Sequence, residues 1–415
     1  MTDQTADPPP AVATRPDDEV QADPRTGRRP GLLQVAVLML SSCLPILGAV
    51  LLAPVLPIMQ TAFAGVPGSA ALVPLVLTAP ALVIGLLAPV AGRIVDSLGR
   101  KNLLVGALVV YAFVGTAPLY LESLPMILLS RVGVGLTEAA IMTCCTTLIA
   151  DYFTGHARDK YLGLQAVYTT LAATVFFALG GALGAASWRA PFWLYLVSLP
   201  LAVMTVVAIW EPVRRTAERG ARALPSVPWR RLAGPIAVTL FGGIAFYTLI
   251  VELSYALAGV GVTSTGTIGL VSAVSSLATA IGALTFPRVA HRGPAILLPV
   301  AFTAIGVGLA VIAAGNGVPV VLIGAVIAGF GGGLLLPSLL TWTIASLSLE
   351  QRGRGTGFWT AALFLGEFIC PLVVLALAAT LTGLSSALLV LAVASVVVAI
   401  AVRLARPVRR QSAVD

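Results

Sequence analysis

The chain has 415 residues, of which 58% are hydrophobic and only 10% are charged. Because soluble proteins carry about 25% charged residues, this composition excludes a soluble domain and indicates an integral membrane protein. The formal net charge of +8 does not indicate a nucleic-acid-binding protein, since the basic residues lie in short clusters between long apolar stretches.

Twelve long apolar stretches follow one another along the chain. A helix needs about 20 apolar residues to cross a bilayer, and only a helix satisfies its own backbone polar groups there. We therefore predict an all-α integral membrane protein with twelve transmembrane helices, called spans 1 to 12, at 32–58, 70–92, 102–122, 125–151, 161–186, 190–210, 232–259, 266–287, 295–315, 318–347, 355–380 and 385–405.

The Lys and Arg residues mark alternate loops between these spans. The loops near 60–70, 259–266, 315–318 and 381–386 hold no Lys or Arg, so the positive-inside rule predicts that both termini are cytoplasmic. We expect no cleaved signal peptide, with span 1 serving as the membrane signal. The predicted parts are a disordered cytoplasmic tail at 1–31, a six-helix bundle at 32–210, a cytoplasmic linker at 211–231, a second six-helix bundle at 232–405 and a cytoplasmic tail at 406–415.

The two halves resemble each other weakly at an offset of 194 residues. The matching pairs are Gly99 and Gly293, Gly135 and Gly329, Arg158 and Arg352, and Gly163 and Gly357. Internal repeats of this kind are typical of secondary transporters, whose substrate site lies between the repeats.

Span 1 contains the stretch LGAVLLAPVLP, residues 47–57. Pro54 and Pro57 lack the backbone N–H that continues a helix, so they free carbonyl groups and predict a kink. Proline is common in membrane helices, and a plain kink without a functional role is the alternative.

The loop between spans 2 and 3 reads GRIVDSLGRKNLL, residues 92–104. Gly92 allows helices to approach closely, and Gly99 permits the left-handed backbone that ends a helix. Asp96 and Arg100 are four residues apart, so they face each other if the helix continues. Arg100 and Lys101 then hold the loop on the cytoplasmic side.

These residues resemble the major facilitator superfamily. Its signature between spans 2 and 3 is G-x-x-x-D-x-x-G-R-K, which this loop matches from Gly92 to Lys101. Its twelve-span drug/proton antiporters carry L-G-x5-P-V-x-P in span 1, as here. The family's span 4 has an arginine, a glycine four residues later and then small residues, which Arg131, Gly135, Ala139 and Ala140 match.

This resemblance implies the major facilitator fold, in which twelve helices form two pseudo-symmetric six-helix bundles. It also implies that Asp96 contacts the start of the eleventh helix and stabilises one conformation of the transport cycle. A positive-inside loop with a helix-ending glycine, without a gating role, is the alternative. The second-half counterpart, PRVAHRGP at 287–294, carries His291 in place of the aspartate and departs from the signature.

Span 5 departs from the antiporter pattern. Drug/proton antiporters of this group often carry G-P-x-x-G-G there, whereas this chain reads FFALGG at 176–181, with Phe176 and Phe177 in place of the Gly-Pro pair. Efflux by antiport and uptake by symport or facilitated diffusion therefore both stay open.

Arg131 and Glu138 are the two charged residues in the stretch 128–142 of span 4. Because they are seven residues apart in a helix, they lie on one face, about 10 Å from each other. Charges within the membrane cost a few kcal/mol each, so we expect that face to border a water-filled cavity or a partner. Burial favours the neutral carboxyl and a nearby arginine favours the charged one, so the pair can switch a proton on and off. A structural ion pair is the alternative.

Two further carboxylates lie within spans: Glu252 in span 7 and Glu367 in span 11. Either can hold a proton or contact a cationic substrate, although Glu252 lies toward the span's outer end and an interfacial carboxylate can simply reach headgroup water. Six polar or aromatic residues are candidates to line the cavity, although Trp and Tyr also form interfacial belts: Gln34, Gln165, Tyr168, Tyr247, Trp342 and Trp359.

The first functional hypothesis is a secondary active transporter that moves a small organic molecule by alternating access, through proton-coupled efflux. The alternative is proton-coupled uptake of an organic acid or another small metabolite, which the cationic Arg131 and the missing Gly-Pro pair motivate. A sensor that binds a ligand without transporting it is a further alternative.

An enzyme is not expected, because there is no phosphate loop and His156 and His291 lie in loops without metal-ligand spacing. We expect no metal and no cofactor besides a proton gradient. The expected partners are the small-molecule substrate, protons and lipid, and not nucleic acid. We expect a monomer in the cytoplasmic (inner) membrane of a bacterium.

Overall fold

The structure is a computed structural model of the chain. It describes residues 20, 22–23, 26–27, 29–212, 228–345, 347–348 and 351–405, with the side chain of Asp96 left aside. Most of the tail predicted at 1–31, most of the linker predicted at 211–231 and the tail predicted at 406–415 lie outside the described residues.

Twelve helical segments within the described part of the chain are long and apolar enough to cross a membrane. They confirm the prediction of twelve spans. From span 1 to span 12 they cover Leu32–Ala62, Ser69–Leu87, Arg100–Leu119, Leu124–Tyr152, Gly155–Gly184, Ala190–Ala208, Trp229–Gly259, Thr265–Arg292, Pro294–Ala313, Val318–Ala345, Arg352–Thr380 and Leu384–Ala405.

Several spans change helix type along their length. Span 6 begins as a 3-10 helix at Ala190–Val197 and continues as an α-helix at Ser198–Ala208. A short helix, Ala91–Leu98, stands between spans 2 and 3. The helix ends and loops that carry Lys and Arg, at the junctions between spans 2 and 3, 4 and 5, 8 and 9, and 10 and 11, define what is called here the basic end of the molecule.

Span 1 is broken where its prolines lie. Its α-helix Leu32–Val50 is followed by a 3-10 turn, Ala53–Val55, and a second α-helix, Leu56–Ala62. The amide of Leu51 still donates to the Leu47 carbonyl at 3.0 Å. Pro54 has no amide proton, so regular helical pairing stops here and backbone carbonyls become free to accept other donors.

The internal repeat found in the sequence is also present in the structure. Gly99 and Gly293 both adopt a positive φ, 86° and 75°, and each immediately precedes the next span. Gly135 of span 4 packs closely on Pro80 of span 2, and its counterpart Gly329 of span 10 packs on Ser275 of span 8. The two halves therefore repeat the same arrangement of helices.

The halves meet along two helix pairs. Near the end opposite the basic end, spans 5 and 8 pack so closely that a Cβ on Gly181 would lie 2.7 Å from the Gly269 Cα. Near the basic end, a Cβ on Gly85 of span 2 would lie 3.2 Å from the Ala361 carbonyl oxygen of span 11. Small residues allow such approaches between membrane helices, and the space left between the halves forms a central cavity.

A candidate substrate cavity

The central cavity has a volume of about 310 Å³ and is lined from spans 1, 2, 4, 5, 7, 8, 10 and 11, so both halves contribute. Most of its wall is aliphatic or aromatic, including Phe177, Phe246 and Phe364. No Lys, Arg or His belongs to its lining among the described residues. Its polar lining residues are Glu138, Thr169, Thr170, Tyr247, Ser272, Ser275, Ser276, Thr279 and Glu367.

Glu138 is held in the cavity wall by neighbours from spans 1 and 3. Its side chain is 1% exposed. Its carboxyl lies directly over Gly48 of span 1, where a Cβ would overlap the Oε1 oxygen. The Tyr111 hydroxyl of span 3 stands 3.4 Å from the same Oε1 and donates a 2.7 Å hydrogen bond to the Leu44 carbonyl.

Arg131 is fully buried, at 0% exposure, but it does not line the cavity. Its Nε donates to the Val76 carbonyl at 3.1 Å and its Nη2 to the Gly48 carbonyl at 3.4 Å. Its guanidinium also lies 5.2 Å above the centre of the Tyr195 ring, a cation–π arrangement. Arg131 therefore joins spans 1, 2 and 6 inside the first half.

The face that carries Arg131 and Glu138 meets two surroundings. Arg131 meets backbone carbonyls as partners inside the first half, and Glu138 borders the cavity. A chain of contacts joins the two residues, because Arg131 lies over Tyr195, Tyr195 packs on Tyr111 with ring centroids 4.9 Å apart, and Tyr111 reaches Glu138.

The break in span 1 explains how these groups are anchored. Two successive carbonyls just before the break accept side-chain donors: the Gly48 oxygen accepts from Arg131, and the Ala49 oxygen accepts from the Tyr247 hydroxyl of span 7 at 2.6 Å. The α-helix ends at Val50, ahead of Pro54 and Pro57, so both oxygens lie in its last turn, where carbonyls lack an intrahelical partner.

The two other carboxylates are placed differently. Glu367 is 7% exposed and lines the cavity from span 11. Glu252 is equally buried, but it does not line the cavity, whereas Leu249, Ile250 and Leu253 of the same span do. Glu138 and Glu367, one from each half, are thus the carboxylates of the cavity.

Of the six cavity-lining candidates, the structure brings Tyr247 to the cavity and leaves the other five outside its lining. Gln34 caps the start of span 1, because its Oε1 accepts from the Gly31 amide at 2.8 Å and its Nε2 donates to the Ala208 carbonyl at 3.1 Å. Gln165 bonds to Ser42 Oγ at 2.7 Å, nearer the basic end than the cavity.

The three remaining aromatic candidates pack elsewhere. Tyr168 of span 5 is 44% exposed and does not belong to the cavity lining. Trp342 and Trp359 are half-buried against the apolar core of the second half. Large amphipathic rings are as stable at such surfaces as in a cavity, so residue type alone did not distinguish the two positions.

Sequence reasoning missed the hydroxyl groups of the cavity. Ser272, Ser275, Ser276 and Thr279 of span 8 all line it. Their spacing of three, one and three residues is the helical period of a single face, so the pattern was available in the sequence. Thr174 of span 5 extends this polar contact between the halves, because its Oγ1 lies 3.1 Å from Ser276 Oγ.

The loop between spans 2 and 3 is organised around a carboxylate that the sequence analysis had assigned to the linker. Glu211 accepts hydrogen bonds from the backbone amides of Arg100 and Lys101, both at 2.8 Å. An anion at the first amides of a helix is favourable. Arg100 also pairs with Asp151 at the end of span 4, with Nε and Oδ2 2.8 Å apart.

Gly92 and Asp96 of this loop differ in what the structure describes of them. Gly92 makes no close helix approach, because it is exposed at the start of a short surface helix and a Cβ there would meet nothing within 4 Å. The side chain of Asp96 lies outside the described part of the structure, so its contact with span 11 stays a prediction. The backbone permits that contact, since a Cβ on Gly357 of span 11 would lie 3.3 Å from the Pro89 Cα.

Within the described ranges, no group of three His, Cys, Asp or Glu side chains is arranged to hold a metal ion. All four cysteines are buried and free.

Comparison with known proteins identifies the family. The model of the Major Facilitator Superfamily matches residues 38–263 and, in a second match, residues 236–414. The chain belongs to the Major Facilitator Superfamily. Membership confirms the predicted fold and confirms that the protein is a membrane transporter rather than an enzyme.

Similar curated proteins include drug transporters. The chain is 27% identical over 224 residues to the quinolone resistance protein NorA of Staphylococcus aureus, covering 52% of this chain and 57% of that protein. It is 25% identical over 170 residues to the multidrug transporter protein MdtP of Bacillus subtilis, covering 41% of this chain and 28% of that protein. The chain thus matches about half of the length of NorA and less of MdtP.

Solved structures with the same fold cover nearly the whole chain. A D-xylose-proton symporter superposes with a TM-score of 0.75 at 15% identity, covering 91% of this chain and 98% of that one. A bacterial homologue of the human lysosomal transporter Spinster, inward-facing and occupied, gives 0.73 at 17% identity, covering 90% and 96%. At such identities the likeness concerns the fold alone.

Proposed function

We propose that this superfamily member exports small amphipathic cations in exchange for protons. One observation supports this most strongly: the cavity combines an apolar and aromatic wall with two carboxylates, Glu138 and Glu367, and its described lining contains no basic side chain. Apolar pockets with a few polar groups bind ligands of matching polarity, and this one matches a lipophilic molecule that carries a positive charge.

The same arrangement provides a way to couple substrate to protons. A carboxylate in an apolar wall is stable in two ways: it can hold a proton and be neutral, or it can face a cation. A proton and a cationic substrate therefore compete for the same group. Each time the cavity opens to the other side, one can replace the other, which is exchange by alternating access.

Arg131 argues against the alternative of organic-acid uptake. That hypothesis needs a cation in the cavity, and the guanidinium of Arg131 is instead occupied by the Val76 and Gly48 carbonyls outside the cavity lining. The similarity to NorA and MdtP, named for quinolone resistance and multidrug transport, supports export of drug-like molecules. Phe177 is one of the two residues that replace the Gly-Pro pair of the antiporter pattern, and it contributes to the aromatic wall of the cavity.

Orientation and setting form part of the proposal. The loops with Lys and Arg face the cytoplasm, with both termini on that side. The composition of 25 Lys and Arg residues, of which only Lys101 and Lys160 are lysine, suits a GC-rich bacterial genome, and the membrane is then the inner one. A monomer suffices, because both halves of the cavity come from one chain.

The test is transport by the purified protein in liposomes. Tetraphenylphosphonium should accumulate when a proton gradient is imposed, and added tetraphenylphosphonium should move protons the opposite way. Uptake of a labelled carboxylate in the same direction as protons would instead support the organic-acid symporter. Binding without flux of either solute would identify a sensor.

A further inference from the structure

The carboxyl of Glu138 lies in a notch that exists only because residue 48 is glycine. A Cβ on Gly48 would overlap Glu138 Oε1, and would also stand 2.9 Å from the Cδ and 3.3 Å from Oε2 of the same carboxyl. Contacts below 3.0 Å force a shift. The whole carboxyl group therefore rests on the bare backbone of span 1, and any side chain at Gly48 must displace it.

Other contacts keep the carboxyl from moving aside. Tyr111 stands behind it, and the Tyr111 hydroxyl is itself fixed by the 2.7 Å bond to Leu44, one turn before Gly48 in span 1. The Gly48 carbonyl accepts from Arg131, which ties that part of span 1 to span 4. With the notch filled, the carboxyl can move only along the remaining open direction, into the cavity that it lines.

We infer that Gly48 is a positioning residue for Glu138: its missing side chain sets how far the carboxyl projects into the cavity, and so how well the protein binds a cation there. This inference rests on the proposed function. In this inference, the glycine of the span 1 pattern leaves room for the Glu138 carboxyl. Its role is not to bend the helix.

The contact between residues 48 and 138 is tested by shortening the acidic side chain at residue 138 while adding a methyl group at residue 48. Aspartate is one methylene shorter than glutamate, about 1.5 Å along the side chain, so Glu138→Asp withdraws the carboxyl from the notch. Gly48→Ala and Glu138→Asp should each weaken binding of tetraphenylphosphonium to the purified protein. The double variant Gly48→Ala/Glu138→Asp should bind it more tightly than Gly48→Ala alone.

A second glycine provides the matched control. Gly306 of span 9 is also closely packed, since a Cβ there would lie 2.8 Å from the Ala392 carbonyl oxygen, but it does not line the cavity. Gly306→Ala should lower thermal stability without changing tetraphenylphosphonium affinity. Adding Glu138→Asp to Gly306→Ala should not restore the thermal stability that Gly306→Ala loses.

We expect Gly48→Ala to reduce affinity by about tenfold or more, and the double variant to regain most of that loss. Unchanged affinity in Gly48→Ala would overturn the inference. So would simple addition of the two single defects, or an equal recovery in the Gly306 pair, because either result means that residues 48 and 138 do not act through contact.

A second measurement separates this inference from the proposed function. Dicyclohexylcarbodiimide labels protonated carboxyls in apolar surroundings, and mass spectrometry gives the labelling rate at Glu138. If the wild-type protein binds no tetraphenylphosphonium, the proposed substrate class is wrong. A labelling rate at Glu138 that changes in Gly48→Ala and not in Gly306→Ala still supports the inference that Gly48 positions the Glu138 carboxyl. Equal labelling in all three proteins rejects it.

A poorly folded Gly48→Ala variant is also informative. Its melting temperature should then rise when the overlapping carboxyl is removed by Glu138→Ala. If the Gly48→Ala/Glu138→Ala protein melts as low as Gly48→Ala, the clash lies elsewhere and the inference is wrong.

Discussion

The two halves of the molecule use the same helix arrangement but are held together by different interactions. In the first half, Arg131, Glu138, Tyr111 and Tyr195 link spans 1, 3, 4 and 6 through hydrogen bonds and ring contacts. At the 194-residue offset, Gly332 stands where Glu138 stands. Span 10 is accordingly a close-packed helix without charge, in which several glycines contact neighbouring backbones.

This difference indicates a division of roles. Backbone-to-backbone packing of small residues gives a rigid unit whose geometry does not depend on protonation. A network that includes an ionisable carboxyl changes its hydrogen bonds when that carboxyl gains or loses a proton. In the proposed function, the first half is therefore the one whose internal hydrogen bonds respond to protonation, through Glu138, while the second half supplies a close-packed counterpart and the other cavity carboxylate, Glu367.

The largest effect is expected from Glu138→Gln. Glutamine keeps the size of the side chain but can neither release a proton nor pair with a cation, so proton-driven transport of tetraphenylphosphonium in liposomes should fall to background. Glu252→Gln is the matched control, because Glu252 is buried in the other half and does not line the cavity. Equal loss in both variants would contradict the assignment of the first half as the responsive one.

The next largest effect concerns the second half. A Cβ on Gly333 would overlap the Thr279 carbonyl oxygen and lie 2.7 Å from the Ala283 amide nitrogen. Gly333→Ala should destabilise the protein by about 2–3 kcal/mol, the cost of overpacking, seen as a lower melting temperature in detergent. Gly106→Ala in span 3, where a Cβ meets nothing within 4 Å, should leave the melting temperature unchanged.

A smaller effect is expected from Tyr111→Phe. This change removes the hydroxyl that donates to Leu44 and reaches Glu138, at a cost of about 1 kcal/mol for a lost buried hydrogen bond. Transport should slow as well, because the carboxyl loses its support on that side. A variant with reduced thermal stability and unchanged transport would show that the network of the first half is only structural.

The smallest effect is expected at the basic end. Glu211→Gln removes the charge that accepts from the amides of Arg100 and Lys101, and should cost about 0.5–1 kcal/mol, as for other charges at a helix start. The loss should be reduced in high salt, since Glu211 is partly exposed and its charge is screened. A salt-independent loss would mean that the hydrogen bonds, rather than the charge, stabilise span 3.

The sequence was sufficient to predict the fold because each span must satisfy its own backbone in lipid. The apolar run lengths, the alternating basic loops and the Gly92–Lys101 signature all carry that information locally. Glu138 and Glu367 could be chosen for the same reason, since a carboxylate in the middle of a span needs an explanation.

The remaining features of the candidate site could not be predicted, because they depend on how the helices rotate and which residues they bring together. The direction of Arg131 is set by backbone carbonyls of two other helices, Val76 in span 2 and Gly48 in span 1, and Gln34 turned out to be a cap of span 1. The importance of Gly48 depends on a partner 90 residues away in the chain. No local pattern marks such a contact, because membrane helices are rich in glycine for many other reasons.

The interrupted first span has a further consequence for hydration. Its neighbouring Gly48 and Ala49 oxygens are bonded to different halves, one to Arg131 and the other to Tyr247. Any relative motion of the halves that separates spans 1 and 7 leaves the Ala49 oxygen without the Tyr247 hydroxyl, inside the largely apolar central cavity. A polar atom exposed there attracts a water molecule, so the wetting of the cavity should begin at Ala49, ahead of the aromatic wall.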